Sequence, residues 1–114
     1  MSYSPLDYVH HILDEATYLI EASRDLVMEE FLEDGTLRRA FVRSIEIIGE
    51  ASKKIAPELR QKYPEIDWLG MAAMRDRLIH AYFGVDYDIV WDVVSSKIPP
   101  LRRELEDMLR REGA

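Results

Sequence analysis

Cysteine is absent from the 114-residue chain, which removes disulfide frameworks, thiolate metal sites and a thiol nucleophile together. That absence fits a reducing compartment, and the expectation is a cytoplasmic protein. No apolar stretch approaches the roughly 20 residues needed to span a bilayer. The opening MSYSPLDYVHHILDEA also lacks the basic segment followed by an apolar run that marks a secretory leader. A soluble chain without a membrane partner follows. Internal repeats, low-complexity segments and the alternating apolar-polar pattern of strands are missing as well, so a β-rich fold is excluded.

An overall excess of base is missing too, since the formal net charge is −7. At first sight this argues against nucleic acid, because affinity for phosphate backbones comes largely from Lys and Arg releasing counterions. The distribution changes the argument. Residues 1–37 carry nine acids and one base, and residues 78–114 seven acids and five bases, whereas residues 38–77 carry nine bases and six acids. A modestly basic centre between acidic flanks can hold a phosphodiester locally. Two ordinary solvated helix faces with uneven charge explain the same pattern.

What is present is helical periodicity. From residue 5 to about 32, Val9, Ile12, Leu13, Ala16, Leu19, Ile20, Leu26 and Val27 keep the i, i+3, i+4, i+7 spacing of one buried stripe. Ser4 and Pro5 supply an N-cap and a favoured first helical position. A turn at Glu33-Asp34-Gly35-Thr36 separates this helix from a second, with Thr36 as its expected cap, running from Leu37 to Ala56. Gly49 lies inside it. A helical glycine costs about 1 kcal/mol relative to alanine, and close approach of a neighbouring helix is the expected compensation.

Pro57 stops that helix or starts a short piece ending near Tyr63-Pro64. Asp67 then caps a third main helix, WLGMAAMRDRLIHAY, whose Gly70, Ala72 and Ala73 invite tight packing, and Phe83-Gly84 ends it. Asp86 or Asp88 caps a last long helix with Ile89, Val90, Val93, Val94, Ile98, Leu101, Leu105 and Met108 inward, and Pro99-Pro100 kinks or splits it. Four main helices with short connections predict an all-α, antiparallel four-helix bundle, one domain over residues 1–114. The small-residue face and surplus apolar positions further predict a homodimer.

The segment Arg75-Asp76-Arg77-Leu78-Ile79-His80-Ala81-Tyr82 concentrates the chemistry. At about 100° per residue, Arg75 and Tyr82 nearly superimpose on one face, and Asp76 and His80, four apart, are surface neighbours. Asp76 is placed to orient His80 by accepting from one ring nitrogen and fixing the tautomer. Arg75 offers a planar fork suited to phosphate oxygens. An acid-base residue plus a cation is the minimum for cleaving RNA through its own 2′-hydroxyl. On spacing alone, a His beside an Asp is more often a surface ion pair, Arg77 a solvated side chain and Tyr82 a core aromatic at a helix end. His10, His11 and Glu15 suggest a bundle metal site only weakly, because the paired Glu-x-x-His segments of di-iron bundles are absent. No metal and no cofactor are expected. Phosphate-cradling glycine loops, nucleophile elbows and zinc-protease motifs are absent too.

Arg75-x4-His80-x-Tyr82 resembles the R-x4-H-x-Y signature of the HepT-like family within the HEPN superfamily, and Asp76 matches the polar residue that often follows the Arg. The likeness extends to Ser44–Ala51, to Ile79–Asp86 and on through Trp91, and to Ile98-Pro99-Pro100-Leu101, so it covers nearly the whole chain. It implies a helical homodimer with two motifs facing across a cleft. By the same resemblance the activity is metal-independent RNA cleavage, in which Arg75 stabilises the phosphoryl transition state, His80 transfers protons and Asp76 positions it. The partners it implies are RNA and a minimal nucleotidyltransferase antitoxin that transfers AMP to Tyr82. The competing readings are a non-catalytic HEPN-like subunit that binds a nucleotide or a nucleotidyltransferase, and a purely structural helical dimer.

Overall fold

The computed structural model describes residues 4–80 and 84–114, and within them the chain is helical throughout without a strand. The elements are α1 (Pro5–Ser23), α2 (Met28–Glu33), α3 (Gly35–Lys53), α4 (Pro57–Lys62), α5 (Trp68–Ile79), α6 (Tyr87–Asp92), a π-helical turn (Val93–Lys97) and α7 (Ile98–Arg111). Helix α3 is the central element. It packs against α1 on one side and α5 on the other, while α1 also packs on α7.

The span expected as one helix, residues 5 to about 32, is divided between two, with Leu26 and Val27 in the break. α1 ends at Ser23, whose hydroxyl donates back to the Leu19 carbonyl at 2.7 Å. Val27 is then extended, and its N–H donates to the Glu30 carboxylate at 3.0 Å, which restarts the chain as α2. The break has a tertiary reason. It turns Phe31 into the core, where the ring stacks on Phe41 with centroids 4.9 Å apart and lies 5.4 Å from Trp91. Complete burial of such a side chain is worth about 1.5–3 kcal/mol. The cap of α3 is Asp34 rather than Thr36, its carboxylate accepting from the N–H groups of Thr36 and Leu37 at 3.1 and 3.0 Å.

Asp67 caps α5 as expected, accepting from the Gly70 N–H at 3.0 Å. That bond also explains Gly70. A Cβ there would lie 2.1 Å from the Asp67 carboxylate, so the glycine makes room for its own cap and not for a neighbouring helix. The connection between α4 and α5 is pinned by buried Tyr63, whose carbonyl accepts from Trp68 Nε1 at 3.1 Å and whose hydroxyl donates to Glu112 beyond α7. Asp86 caps α6, accepting from the Asp88 N–H at 3.0 Å. Downstream, Pro99 and Pro100 sit in the first turn of α7, where missing amide hydrogens cost little. The widened turn at Val93–Lys97 absorbs the change, so helical structure runs on from Tyr87 to Arg111.

Gly49 is a genuine close-approach glycine. A Cβ on it would stand 2.1 Å from the Arg75 Cβ and 2.7 Å from the Met71 carbonyl oxygen, so the missing methyl lets the backbone of α5 come down onto α3. Gly49→Ala gains about 1 kcal/mol in helix propensity yet must push two helix backbones apart. Overpacking of this kind costs about 1–3 kcal/mol. Urea denaturation is expected to show a net loss of stability, and an unchanged or raised midpoint would show that the helices separate freely.

Candidate active site

The C-terminal half of α5 carries Arg75 and Asp76, with His80 at its C-cap, and α3 supplies the floor. The Arg75 stem rests on Gly49, and its guanidinium runs between two carboxylates, with NH2 3.0 Å from Glu50 Oε2 and NH1 3.1 Å from Asp76 Oδ1. The same Asp76 oxygen accepts from Lys53 Nζ at 2.6 Å. Gly49 and Lys53 are one turn apart on α3. The approach that seats Arg75 therefore also brings Lys53 onto Asp76. These two cations, Lys53 first, hold the Asp76 carboxyl below the usual carboxylate range.

His80 stands at the C-cap of α5. Its backbone N–H donates to the Leu78 carbonyl, and its imidazole Nδ1 lies 2.8 Å from the Asp76 carbonyl oxygen. The expected partner was the Asp76 side chain. In the structure that carboxylate is turned to Lys53 and Arg75, and the backbone carbonyl of the same residue takes the imidazole instead. The geometric reason is the helix end, where a carbonyl four residues back is free to accept from a side chain. A carbonyl only accepts, so Nδ1 carries the hydrogen and Nε2 is left for proton exchange.

Asp76 thus touches both other described motif residues, Arg75 through its carboxylate and His80 through its carbonyl. Tyr82 lies outside the described residues. Arg77 is exposed on α5, while His10 and His11 are exposed on α1, where His11 meets the Tyr8 ring edge-on. Glu50 and Lys53 escaped a reading confined to the motif. A signal for Lys53 is Gly49: the residue one turn on from a close-approach glycine faces the helix that the glycine admits.

With the fold and this cluster in place, relatives can be compared. The chain is 45% identical over 109 residues to "Putative RNase TTE0752" of Caldanaerobacter subterraneus subsp. tengcongensis, covering 96% of this chain and 97% of that one. It is 43% identical over 108 residues to "Probable ribonuclease HepT" of Thermococcus cleftensis, covering 95% and 98%. With "Putative RNase MJ0127" of Methanocaldococcus jannaschii it shares 40% over 103 residues, covering 90% and 85%. The family model described as "Ribonuclease HepT-like" matches residues 12–108. The chain belongs to that family. No solved structure matches it significantly.

The depressed Asp76 carboxyl sets a pH dependence. A group whose value is lowered on folding contributes stability that is complete above its unfolded value, about 3.9, and is lost as pH falls through the folded value. The stability difference between wild type and Asp76→Asn should be steady near neutrality and should shrink below about pH 4. Urea titrations at stepped pH measure it. A gap that widens in acid would contradict the ion-pair assignment.

Proposed function

We propose that the protein is a metal-independent endoribonuclease, with Arg75 and His80 carrying the reaction and Asp76 as their positioning residue. The observation that supports this reading best is Asp76 itself. In a chain of the HepT-like ribonuclease family, one residue ties a phosphate-binding guanidinium by its side chain and an imidazole by its backbone. RNA brings its own nucleophile. Attack of the 2′-oxygen on phosphorus breaks the bond to the 5′-oxygen and leaves a 2′,3′-cyclic phosphate. Arg75 offsets the charge that builds on the phosphoryl oxygens, Nε2 of His80 takes up the 2′-hydroxyl proton, and a proton is returned to the departing 5′-oxygen, which leaves as a hydroxyl.

The active form in this reading is a homodimer of four-helix HEPN bundles in which two motifs share a cleft. Helix α5 supports it. Among its residues only Trp68 is buried, while Leu69 is 76% and Ile79 42% exposed, an uneconomical face for a monomer in water. Between α5, α3 and α7 an apolar groove of about 510 Å³ is floored by Ile45 and Ile48. Sedimentation of the purified protein tests the assembly.

His80→Ala and Arg75→Ala should each lose about 10²–10⁴-fold in RNA cleavage while remaining folded with the assembly of wild type. Wild type should cut single-stranded RNA in EDTA and spare DNA, which lacks the attacking hydroxyl. End-mapping of the products decides. Cleavage abolished by EDTA, or retained by His80→Ala, would refute the mechanism.

The regulatory partner in this reading is a minimal nucleotidyltransferase antitoxin. It would move AMP from ATP to the Tyr82 hydroxyl with release of pyrophosphate. Tyr82 follows Arg75 by seven residues in the sequence, and in this reading the added phosphate competes with RNA for the same guanidinium. Tyr82→Phe should cleave RNA and resist silencing by such an enzyme. Equal silencing of Tyr82→Phe and wild type would move the modification elsewhere.

A further inference from the structure

The motif alone does not make this cluster receptive to phosphate. Arg75 carries one positive charge and is flanked by the carboxylates of Glu50 and Asp76, so these three groups together are net negative. Lys53 is the cation that corrects the balance. It does so at one atom, because Lys53 Nζ and Arg75 NH1 both bond Oδ1 of Asp76, at 2.6 and 3.1 Å. Two cations held on a single anionic oxygen are necessarily close to each other. They are therefore spaced to meet the oxygens of one phosphate, or of two neighbouring phosphates on a strand.

We propose that Lys53 is a substrate-binding residue, forming with Arg75 a two-cation clamp for the RNA backbone that Asp76 ties together. Its ammonium has three donors and gives one of them to Asp76, and its side chain is 38% exposed, so donors remain for a ligand. The clamp is built before substrate arrives. Gly49 fixes the distance between α3 and α5, and Lys53 stands one turn along the same face. Asp76 accordingly has a second task besides holding the imidazole: it keeps two like charges together that would otherwise repel. This proposal rests on the ribonuclease reading and adds to it a residue from a different helix.

The test is binding of a 2′-O-methyl oligoribonucleotide, which keeps the phosphates and lacks the attacking hydroxyl, measured across a salt series in EDTA beside cleavage of ordinary RNA. Lys53→Ala is expected to weaken binding about tenfold at low salt, the loss of one charge-assisted hydrogen bond. The slope of log affinity against log salt should fall by about 0.7, the value for one single-strand phosphate contact. In cleavage, KM should rise more than kcat falls, and Lys53→Arg should restore both. Binding and salt slope equal to wild type in Lys53→Ala, with wild type cleaving normally, would overturn the role of Lys53 and leave the ribonuclease reading standing. So would weaker binding with an unchanged slope and a lowered unfolding temperature, the mark of a structural ion pair. A wild type that neither binds the oligonucleotide nor cuts RNA would overturn both.

Discussion

The whole arrangement depends on the distance between α3 and α5, and Gly49 sets that distance. With no methyl at this position, the Arg75 stem and the Met71 carbonyl settle directly on the α3 backbone. Much else is conditional on the contact. Glu50 reaches the guanidinium from beside the glycine, and Lys53 reaches Asp76 because it lies one turn further on the same face. A buried hydrogen bond within α3, from the Ser52 hydroxyl to the Gly49 carbonyl at 2.7 Å, occupies an acceptor beside the contact. Packing and electrostatics are thus one design here, since the helix spacing that fills the core also determines which charges meet.

Much of the fold was legible because amphipathic periodicity reports directly which face is buried. The caps at Asp67 and Asp86 could be read from residue type, as could the close approach at Gly49. The first helix reads too long in the sequence because its apolar period runs on into the break. Leu26 and Val27 keep the period, and the restart of α2 depends on Phe31 finding Phe41 and Trp91, rings supplied by distant segments. Gly70 is ambiguous in the sequence for a related reason. A small residue near a helix start serves either a neighbouring helix or its own cap, and only the position of the Asp67 carboxylate distinguishes the two.

The site divides along the same line. Arg75, Asp76 and His80 are legible as a motif because they sit on one helix with fixed spacing. Their connections are not, since residue type names a carboxylate as the natural partner of an imidazole and says nothing of a carbonyl freed by a helix end. Lys53 and Glu50 are harder still. They lie on another element, and on an exposed helix surface only the nearby Gly49 points toward them until the facing helix is known.

The bond from His80 to the Asp76 carbonyl gives this centre an unusual kind of robustness. An acceptor that belongs to the main chain exists whatever side chain stands at position 76, so the ring tautomer is encoded in the path of the backbone and not in residue identity. Exchange at that position can disturb the neighbouring cations while leaving the imidazole oriented. A substitution scan of side chains would therefore under-report what holds His80, and the information it missed would lie in the place where the helix stops.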